Sequence, residues 1–317
     1  MRAIVVQDLQ IVNNLQPIAS SGFGRRGYRR LMPTTRVAVL GSINMDLTTF
    51  TPRLPQPGET LLGTTFAASQ GGKGANQALA AARSGADTTF LGAVGSDAFG
   101  QDLIDTLTEA GIDISLVRHV DGPSGVASIS VDGDGENTIV VVAGANSSLL
   151  TLSDAERDAI AGADILMCQL EIPLETVVEG ATHARDHGTL VLLNPSPAQD
   201  LPDELVEAVD VLVVNEAEAR ELAHVVSRVP HVVTTLGARG AHYRGPESAS
   251  DFRSPTVDAI DTTGAGDAFT GALAAEWSAG PDDAIRWACA AGAFAATRRG
   301  AGSSSGTRTD IRGVGQE

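Results

Sequence analysis

The sequence predicts an α/β protein built on a doubly wound, mostly parallel sheet flanked by helices. From residue 36 onward, short apolar runs typical of buried strands alternate with segments of helical periodicity, the pattern of successive β-α-β units. A chain of 317 residues is also long enough to bury a large core. Two hairpin-like pairs of segments interrupt the alternation, and they predict a smaller sheet beside the large one.

The elements follow in order along the chain. Apolar strands are predicted at residues 37–40, 88–94, 165–170, 190–194, 211–214 and 232–235. Helical patterns lie at residues 74–84, 98–110, 153–161, 174–187 and 216–224, and a further helix runs from about residue 267 to the stop signal Gly280-Pro281. The hairpins pair residues 46–50 with 60–66 and residues 125–131 with 138–142. Ligands of such open sheets bind beyond the carboxyl ends of the strands.

Composition excludes several classes of function. The formal net charge of −17 argues against a nucleic-acid partner, because such binding depends on neutralising phosphates. No run of 18 apolar residues occurs, so no membrane span is predicted. Cys168 and Cys289 lie in apolar surroundings and are typical of reduced core thiols, which favours a cytoplasmic protein.

The segment DTTGAGDAF at residues 261–269 is the most informative in the chain. It places a glycine turn directly before a helix, so the unpaired N–H groups of residues 264–267 and the helix dipole face a ligand. Such a turn binds phosphate or a developing anion, whereas the carboxylate of Asp267 would repel one. Asp267 makes sense as a base for a hydroxyl that attacks phosphate. The alternative is an ordinary acid favoured at a helix N-terminus.

A second segment, SQGGKGANQ at residues 69–77, contains the only lysine of the chain. The other 21 of the 22 basic residues are arginine. A compact ammonium on a flexible stem enters pockets that a planar guanidinium cannot. One lysine could fall anywhere by chance, but the position of Lys73 between Gly72 and Gly74 favours a functional role.

Together, GGKGANQ at residues 71–77 and DTTGAGD at residues 261–267 resemble the paired signatures of the ribokinase family of sugar kinases, also called the PfkB family. The resemblance extends from about residue 36 to about residue 304. It implies a ribokinase-like fold whose hairpins, at about 46–66 and 125–142, form a small β-sheet lid that pairs in a homodimer. It also implies ATP-dependent phosphorylation of D-ribose at its primary 5-hydroxyl, giving D-ribose 5-phosphate and ADP.

The resemblance assigns a role to each matching residue. Asp267 is the general base, and the backbone of residues 264–267 is the anion hole. The implied sugar site comprises Asn44, Asp46, Gly72, Lys73, Asn76 and Glu171. The implied ATP site comprises Asn215, Thr235, Gly237, Gly240, Gly264, Ala265 and Gly266. Glu218 is assigned to Mg²⁺, and Asp261, Thr263, Ala295, Arg298, Gly300 and Ser304 to an activating K⁺, mostly through carbonyl oxygens.

Residue chemistry alone leaves alternatives at several of these positions. A carboxylate at Asp46 can accept hydrogen bonds from both hydroxyls of a sugar diol. Glu171 without the motif is a solvated acid at the start of a loop, and Asn215 with Glu218 is also typical of a helix N-cap. The tripeptide NSS at residues 146–148 matches a glycosylation sequon, which matters only in a secreted protein, so we set it aside.

Residues 1–35 carry five arginines against a single acid and show no sustained periodicity. We expect an extension that is disordered or not native, with Met32 as the natural start. Residues 36–304 form the predicted kinase domain and residues 305–317 a flexible tail. The chain departs from the family pattern in a short connection between residues 224 and 231, in Cys289 near the adenine, and in a closing helix that is missing or unrecognisable.

Two alternative functions stay open at this point. One is a related kinase for deoxyribose, another furanose sugar or a nucleoside, although a 2-deoxy sugar would leave part of the Asp46 and Asn44 site unpaired. The other is a non-catalytic sugar-binding sensor, which the altered segments suggest. The intact Asp267 turn argues against the sensor, since a sensor needs no base.

Overall fold

A computed structural model of the protein describes residues 34–314, so most of the predicted N-terminal extension lies outside the described residues. The large sheet has eight strands. They are β1 (Arg36–Leu40), β4 (Asp87–Leu91), β9 (Ile165–Cys168), β10 (Leu190–Leu193), β11 (Val211–Asn215), β12 (His231–Thr235), β13 (Ala241–Arg244) and β14 (Ala249–Phe252). Their spatial order is β14-β13-β12-β11-β10-β9-β1-β4, parallel from β4 to β12 and antiparallel over the last two strands.

Helices cover both faces of this sheet. They are α1 (Lys73–Arg83), α2 (Ala98–Glu109), α3 (Asp154–Gly162), α4 (Leu174–His187), α5 (Asp203–Ala208), α6 (Glu216–Glu221), α7 (Ala223–Val226), α8 (Ala265–Glu276), α9 (Pro281–Ala296) and α10 (Arg308–Gly313). The alternating side chains of β1 show why both faces are needed: Val37 and Val39 belong to one buried apolar cluster, Ala38 and Leu40 to the other. The predicted fold class is confirmed.

A separate four-stranded sheet, the lid, has the order β3-β2-β7-β8. Its strands are β2 (Asn44–Phe50), β3 (Thr65–Gly71), β7 (Gly125–Val131) and β8 (Asn137–Val142), and a short parallel pair, β5 (Ala93–Gly95) with β6 (Arg118–Val120), lies apart from it. The strand predicted at residues 60–66 is wrong in position. Strand β3 begins at Thr65 because it pairs with β2 along its whole length, from Phe50↔Thr65 to Asn44↔Gly71, which leaves residues 51–64 as the connection.

The prediction that the chain lacks a recognisable closing helix is also wrong. Thr307 caps α10 through a capping box with Asp310, and Ile311 of that helix is buried. The guanidinium of Arg308 lies 4.8 Å from the ring centre of Trp287, which attaches α10 to α9. The capping box was present in the sequence, but the glycine-rich residues around it obscured the signal.

Two other expectations concern the core and the membrane. Cys168 and Cys289 are free and buried, as predicted, and burial raises the pKa of their thiols to about 12 and about 11. Among residues 34–314, no helix is long and apolar enough to cross a membrane.

Candidate active site

The carboxyl ends of β10, β11 and β12 border a crevice that the N-termini of α1 and α8 complete. Its lining brings together residues that are far apart in sequence: Lys73, Asn194, Ser196, Val213, Val214, Asn215, Glu218, Thr235, Gly264, Gly266, Asp267 and Thr270. Seven of these were predicted site residues. The other five, Asn194, Ser196, Val213, Val214 and Thr270, were not, because no motif of their own marks them in the sequence.

The turn before α8 positions Asp267. Gly264 is the N-cap with a φ of 74°, and a Cβ there would stand 2.7 Å from the Cα of Ala301, so the turn requires glycine. The Ala265 N–H donates to Thr262 O at 3.2 Å. Within the described residues, Gly266 and Asp267 therefore supply the first-turn N–H groups that lack a backbone partner, which makes them the donors available to an anion.

Both oxygens of Asp267 are held from α1. Asn76 Nδ2 donates to Oδ2 and Gln77 Nε2 donates to Oδ1, each at 3.0 Å. The Asp267 residue is only 9% exposed. The carboxylate thus sits at a helix N-terminus with one amide donor on each oxygen, which leaves the remaining lone pairs for a proton.

Asn76 is therefore engaged at both ends, because its Oδ1 also accepts from Gln70 Nε2 at 3.1 Å. Asn76 was predicted to bind the sugar. In this structure its amide contacts Asp267 instead of opening into the crevice, and Gln77, which was not predicted, makes the matching contact.

The residues predicted to bind the sugar lie near the start of lid strand β2 and the turn before α1. Burial raises the pKa of Asp46 on β2 to about 7, with smaller contributions from the nearby charges of Glu171 and Asp267. Glu171 Oε2 accepts from Ser42 Oγ at 2.5 Å and from the N–H of Lys73 at 2.9 Å, so this acid is anchored to the turn before α1 and is not simply solvated. Gly72 is the N-cap of that helix.

Asn146, set aside in the sequence as a sequon residue, holds Asn44. Its Nδ2 donates to Asn44 Oδ1 at 2.8 Å and to Ile43 O at 3.1 Å, while its Oδ1 accepts from the N–H of Ile43 at 3.0 Å. Since the oxygen of Asn44 is occupied, the side chain presents its NH₂ group as a donor. Asn146 is 1% exposed, far too buried for a glycan.

Among the residues assigned to ATP, Asn215 caps α6. Its Oδ1 accepts from the N–H groups of Ala217 and Glu218 at 2.8 and 2.9 Å, and Glu218 Oε2 accepts from the N–H of Asn215 at 2.9 Å. The helix-cap interpretation is confirmed, and both residues still line the crevice. Gly237 and Gly240, also assigned to ATP, follow the end of β12 at Thr235.

Three of the residues assigned to K⁺, Asp261, Thr263 and Gly300, come together at the edge of the α8 turn. Asp261 Oδ1 accepts from the N–H of Thr263 at 2.9 Å and its Oδ2 from the N–H of Gly300 at 3.0 Å. Burial would raise the pKa of Asp261, but these hydrogen bonds outweigh it and the pKa is lowered. The other members, Ala295, Arg298 and Ser304, lie on or just after α9: the N–H of Arg298 donates to Ala295 O at 3.0 Å, and Ser304 is buried.

The donor chemistry of this cluster suits a monovalent cation. In the part of the chain that the structure describes, no group of three or more His, Cys, Asp or Glu side chains could hold a metal ion. Besides the Asp261 carboxylate, the assigned residues offer neutral carbonyl and hydroxyl oxygens, which are ligands that K⁺ takes. These residue types are compatible with the ion that the resemblance assigns.

Comparison with known proteins finds similar chains over most of the length. Residues 34–308 match the profile of the pfkB family of carbohydrate kinases. A ribokinase of Haemophilus influenzae is 40% identical over 296 residues, covering 86% of this chain and 96% of its own, and a deoxyribokinase of Salmonella typhi is 35% identical, covering 84% and 94%. The structure of Arabidopsis thaliana ribokinase complexed with ribose and ATP superposes with a TM-score of 0.82 at 29% identity, over 90% of this chain and 99% of that one.

Proposed function

The chain belongs to the pfkB family of carbohydrate kinases, and from that membership we propose that it transfers the γ-phosphoryl group of ATP to the primary 5-hydroxyl of D-ribose. One observation carries the proposal. A carboxylate held on both oxygens stands at the N-terminus of α8, in the crevice that the sole lysine also lines. A sugar-binding sensor would need neither group.

In the proposed reaction, the hydroxyl oxygen of the sugar attacks the γ-phosphorus as its proton passes to Asp267. The new O–P bond forms while the bond from that phosphorus to the β-γ bridging oxygen breaks, and ADP leaves with the electron pair. The N–H groups of Gly266 and Asp267 face the charge that develops on the phosphoryl oxygens, and the Lys73 ammonium neutralises part of it. Positioning and electrostatic help of this kind account for most of the catalysis of phosphoryl transfer.

For the sugar, we propose that ionised Asp46 accepts hydrogen bonds from two hydroxyls and that the Asn44 amide donates to a hydroxyl oxygen. Glu171 and Gly72 complete the floor of the site. Asn76 reaches the sugar only by giving up a contact that it makes here, so we assign it first to holding Asp267. ATP would lie along Asn215, Thr235, Gly237, Gly240 and the turn formed by residues 264–266.

An ATP-dependent kinase works with a divalent metal, and we propose that this metal is Mg²⁺, with Glu218 contributing the oxygen that does not cap α6. When bound, Mg²⁺ neutralises phosphate charge. We further propose K⁺ as the activating ion of the cluster of Asp261, Thr263, Ala295, Arg298, Gly300 and Ser304. There it would fix the turn that carries the Gly266 and Asp267 donors.

We also propose that the enzyme acts in the cytoplasm, where ATP is available.

We further propose that two copies of the chain pair through the lid. The outer strand β8 supports the pairing. Its side chains Ile139, Val140, Val141 and Val142 are 51–59% exposed, although all are β-branched and apolar. An exposed apolar edge strand of this kind is a template for pairing with another chain.

The acceptor is tested by measuring ADP release with D-ribose, 2-deoxyribose, fructose and adenosine, each with K⁺ and with K⁺ replaced by a bulky organic cation. We expect ribose to give the highest kcat/KM and K⁺ to raise it. A higher kcat/KM with 2-deoxyribose or adenosine would keep the kinase and replace the substrate. Binding of ribose without turnover of any acceptor would instead support the sensor.

A further inference from the structure

Gln77 is a fully buried amide whose role the reaction above leaves open. It lies on α1, next to Asn76, with no exposed surface. Its Nε2 donates to Asp267 Oδ1 and to Asn194 Oδ1, both at 3.0 Å, so both N–H bonds of the amide are used. Its oxygen accepts from Gln169 Nε2 at 2.6 Å. A side chain so occupied by protein partners has no donor left for a ligand.

Asp267 fixes the direction in which this amide points. Because a carboxylate oxygen only accepts, the NH₂ group of Gln77 faces Asp267, and Gln169 completes the arrangement by donating to Oε1 of Gln77. The Oε1 atom of Gln169 is itself buried and has no partner among the described residues, which lowers the stability of the folded protein. An apolar side chain would fill the same space without that cost. The contribution of Gln169 is therefore orientation of Gln77 rather than stability.

The other branch of the network leads to the phosphate end of the crevice. Asn194, which lines the crevice, accepts from Gln77 and donates through Nδ2 to Val213 O at 2.9 Å. The amide of Gln77 thus joins the end of the large sheet to the carboxylate of α8. Movement of either element would be transmitted to the other through a single side chain.

We propose that Gln77 is a positioning residue for catalysis: it holds Oδ1 of Asp267 while Asn76 holds Oδ2, and so fixes the plane of the carboxylate toward the attacking hydroxyl. A carboxylate with one donor on each oxygen cannot rotate about its terminal bond without breaking both hydrogen bonds. Misplacing a reacting group by about 1 Å can cost roughly 100-fold in rate, so holding this plane contributes directly to kcat. The inference rests on the proposed kinase function and deepens it.

Two substitutions test it. Gln77→Met keeps the length of the side chain and removes the donor, and Gln77→Glu keeps the shape and can donate only while protonated. For both we expect kcat to fall about 10- to 100-fold while KM for ribose and the Kd for ribose, measured by calorimetry without nucleotide, stay within about twofold. A side chain that merely filled the core would change binding, folding and rate together.

The pH profile separates positioning from packing. The ionisable groups facing this region are Asp267, Asp46, Glu171 and Lys73. In the wild type, kcat should rise with pH to a plateau as a base requires. In Gln77→Glu, ionisation of the introduced carboxyl replaces a donor by a repelling charge, so kcat should decline as pH rises further. Gln77→Met should show the wild-type shape at a lower level.

Gln101→Glu, on the exposed face of α2, makes the same chemical change away from the site and should leave kcat and its profile unchanged. Circular dichroism melts identify folded variants, and if Gln77→Glu is unfolded, Gln77→Met decides by the same criteria. A folded variant with wild-type kcat, or one losing ribose affinity as much as kcat, would overturn the inference. Failure of the wild type to phosphorylate ribose would refute the proposed substrate instead, and the variants would then be compared on the acceptor it does use.

Discussion

Three carboxylates and one ammonium decide the electrostatics of the site. Asp46, Glu171 and Asp267 influence one another closely enough that the last two raise the pKa of the first, after burial has raised it more. Lys73 lies in the same crevice as Asp267 and is in no ion pair among the described residues. Without ligands, the charges of such a site are not balanced. A sugar whose hydroxyls donate to Asp46, with a phosphate beside Lys73, would relieve both imbalances.

The raised pKa of Asp46 predicts a pH-dependent stability of the ligand-free protein. Between its ordinary value of 3.8 and about 7, folded Asp46 holds a proton that the unfolded chain has lost, so the free energy of unfolding decreases as pH rises through this window. Asp46→Asn removes this decrease in the free energy of unfolding, because asparagine does not ionise. We therefore expect the variant to gain Tm relative to wild type, and to gain more at pH 8 than at pH 5.

Thermal melts of both proteins at the two pH values measure this difference. Asp158→Asn, at an exposed position of α3, is the matched control and should shift Tm equally at both pH values. If Asp46→Asn behaves like the control, Asp46 is ionised throughout the range and the electrostatic argument is wrong.

At the scale of elements, the contact between α1 and α8 builds the proposed catalytic group. Asn76 and Gln77 reach Asp267 only because the two helices approach closely. Gly271 of α8 permits the approach: a Cβ there would stand 2.6 Å from Ala80 Cβ and 2.8 Å from the backbone nitrogen of Ala81. The absence of one side chain thus brings the two amides of α1 within reach of the base.

Gly271→Ala should force these helices apart. Overpacking of this kind costs about 1–3 kcal/mol of stability, and kcat should fall as well because Asp267 loses its donors. Denaturant unfolding and ADP release measure the two effects. Gly162→Ala makes the same change in α3, where no atom lies within 4 Å of the new Cβ, and should lower neither. Unaltered stability and rate in Gly271→Ala would contradict the packing argument.

The sequence predicted the large sheet, most helices and the family signatures, because periodicity and glycine turns are local signals. It could not predict that Gln77 and Asn146 belong to the candidate site. Their partners, Asp267 and Asn44, lie 190 and 102 residues away, and an amide has no charge or motif to mark it. The strand β3 was misplaced for a related reason: its position is fixed by pairing with β2, which is not a local property.

At the scale of the whole molecule, the lid stands out because a single chain leaves much of its apolar surface exposed. Strand β8 is exposed along its entire length, and Phe66 on β3, at the opposite edge, is 62% exposed. A second copy covering these residues would remove the apolar surface from water and brace the sheet that carries Asp46 and Asn44. The proposed pairing therefore links assembly to the sugar site.

Val140→Asp, in the middle of β8, should prevent the pairing and weaken ribose binding, since a charge would be buried without a partner. Light scattering coupled to size exclusion gives the mass of each form. Leu150→Asp places the same charge at a 65% exposed apolar position outside the lid and should leave the dimer intact. A wild-type protein that is monomeric at all concentrations would contradict the proposed dimer.

The most direct test of the account compares the wild type with Asp267→Asn in ribose-dependent ADP release, together with calorimetric ribose binding. Asparagine keeps the size of the side chain and removes its ability to take a proton. We expect kcat to fall by about 100- to 10,000-fold, the usual contribution of a general base, while the Kd for ribose stays within about twofold. Turnover by Asp267→Asn at the wild-type rate would show that the carboxylate is not the base and would contradict the central claim.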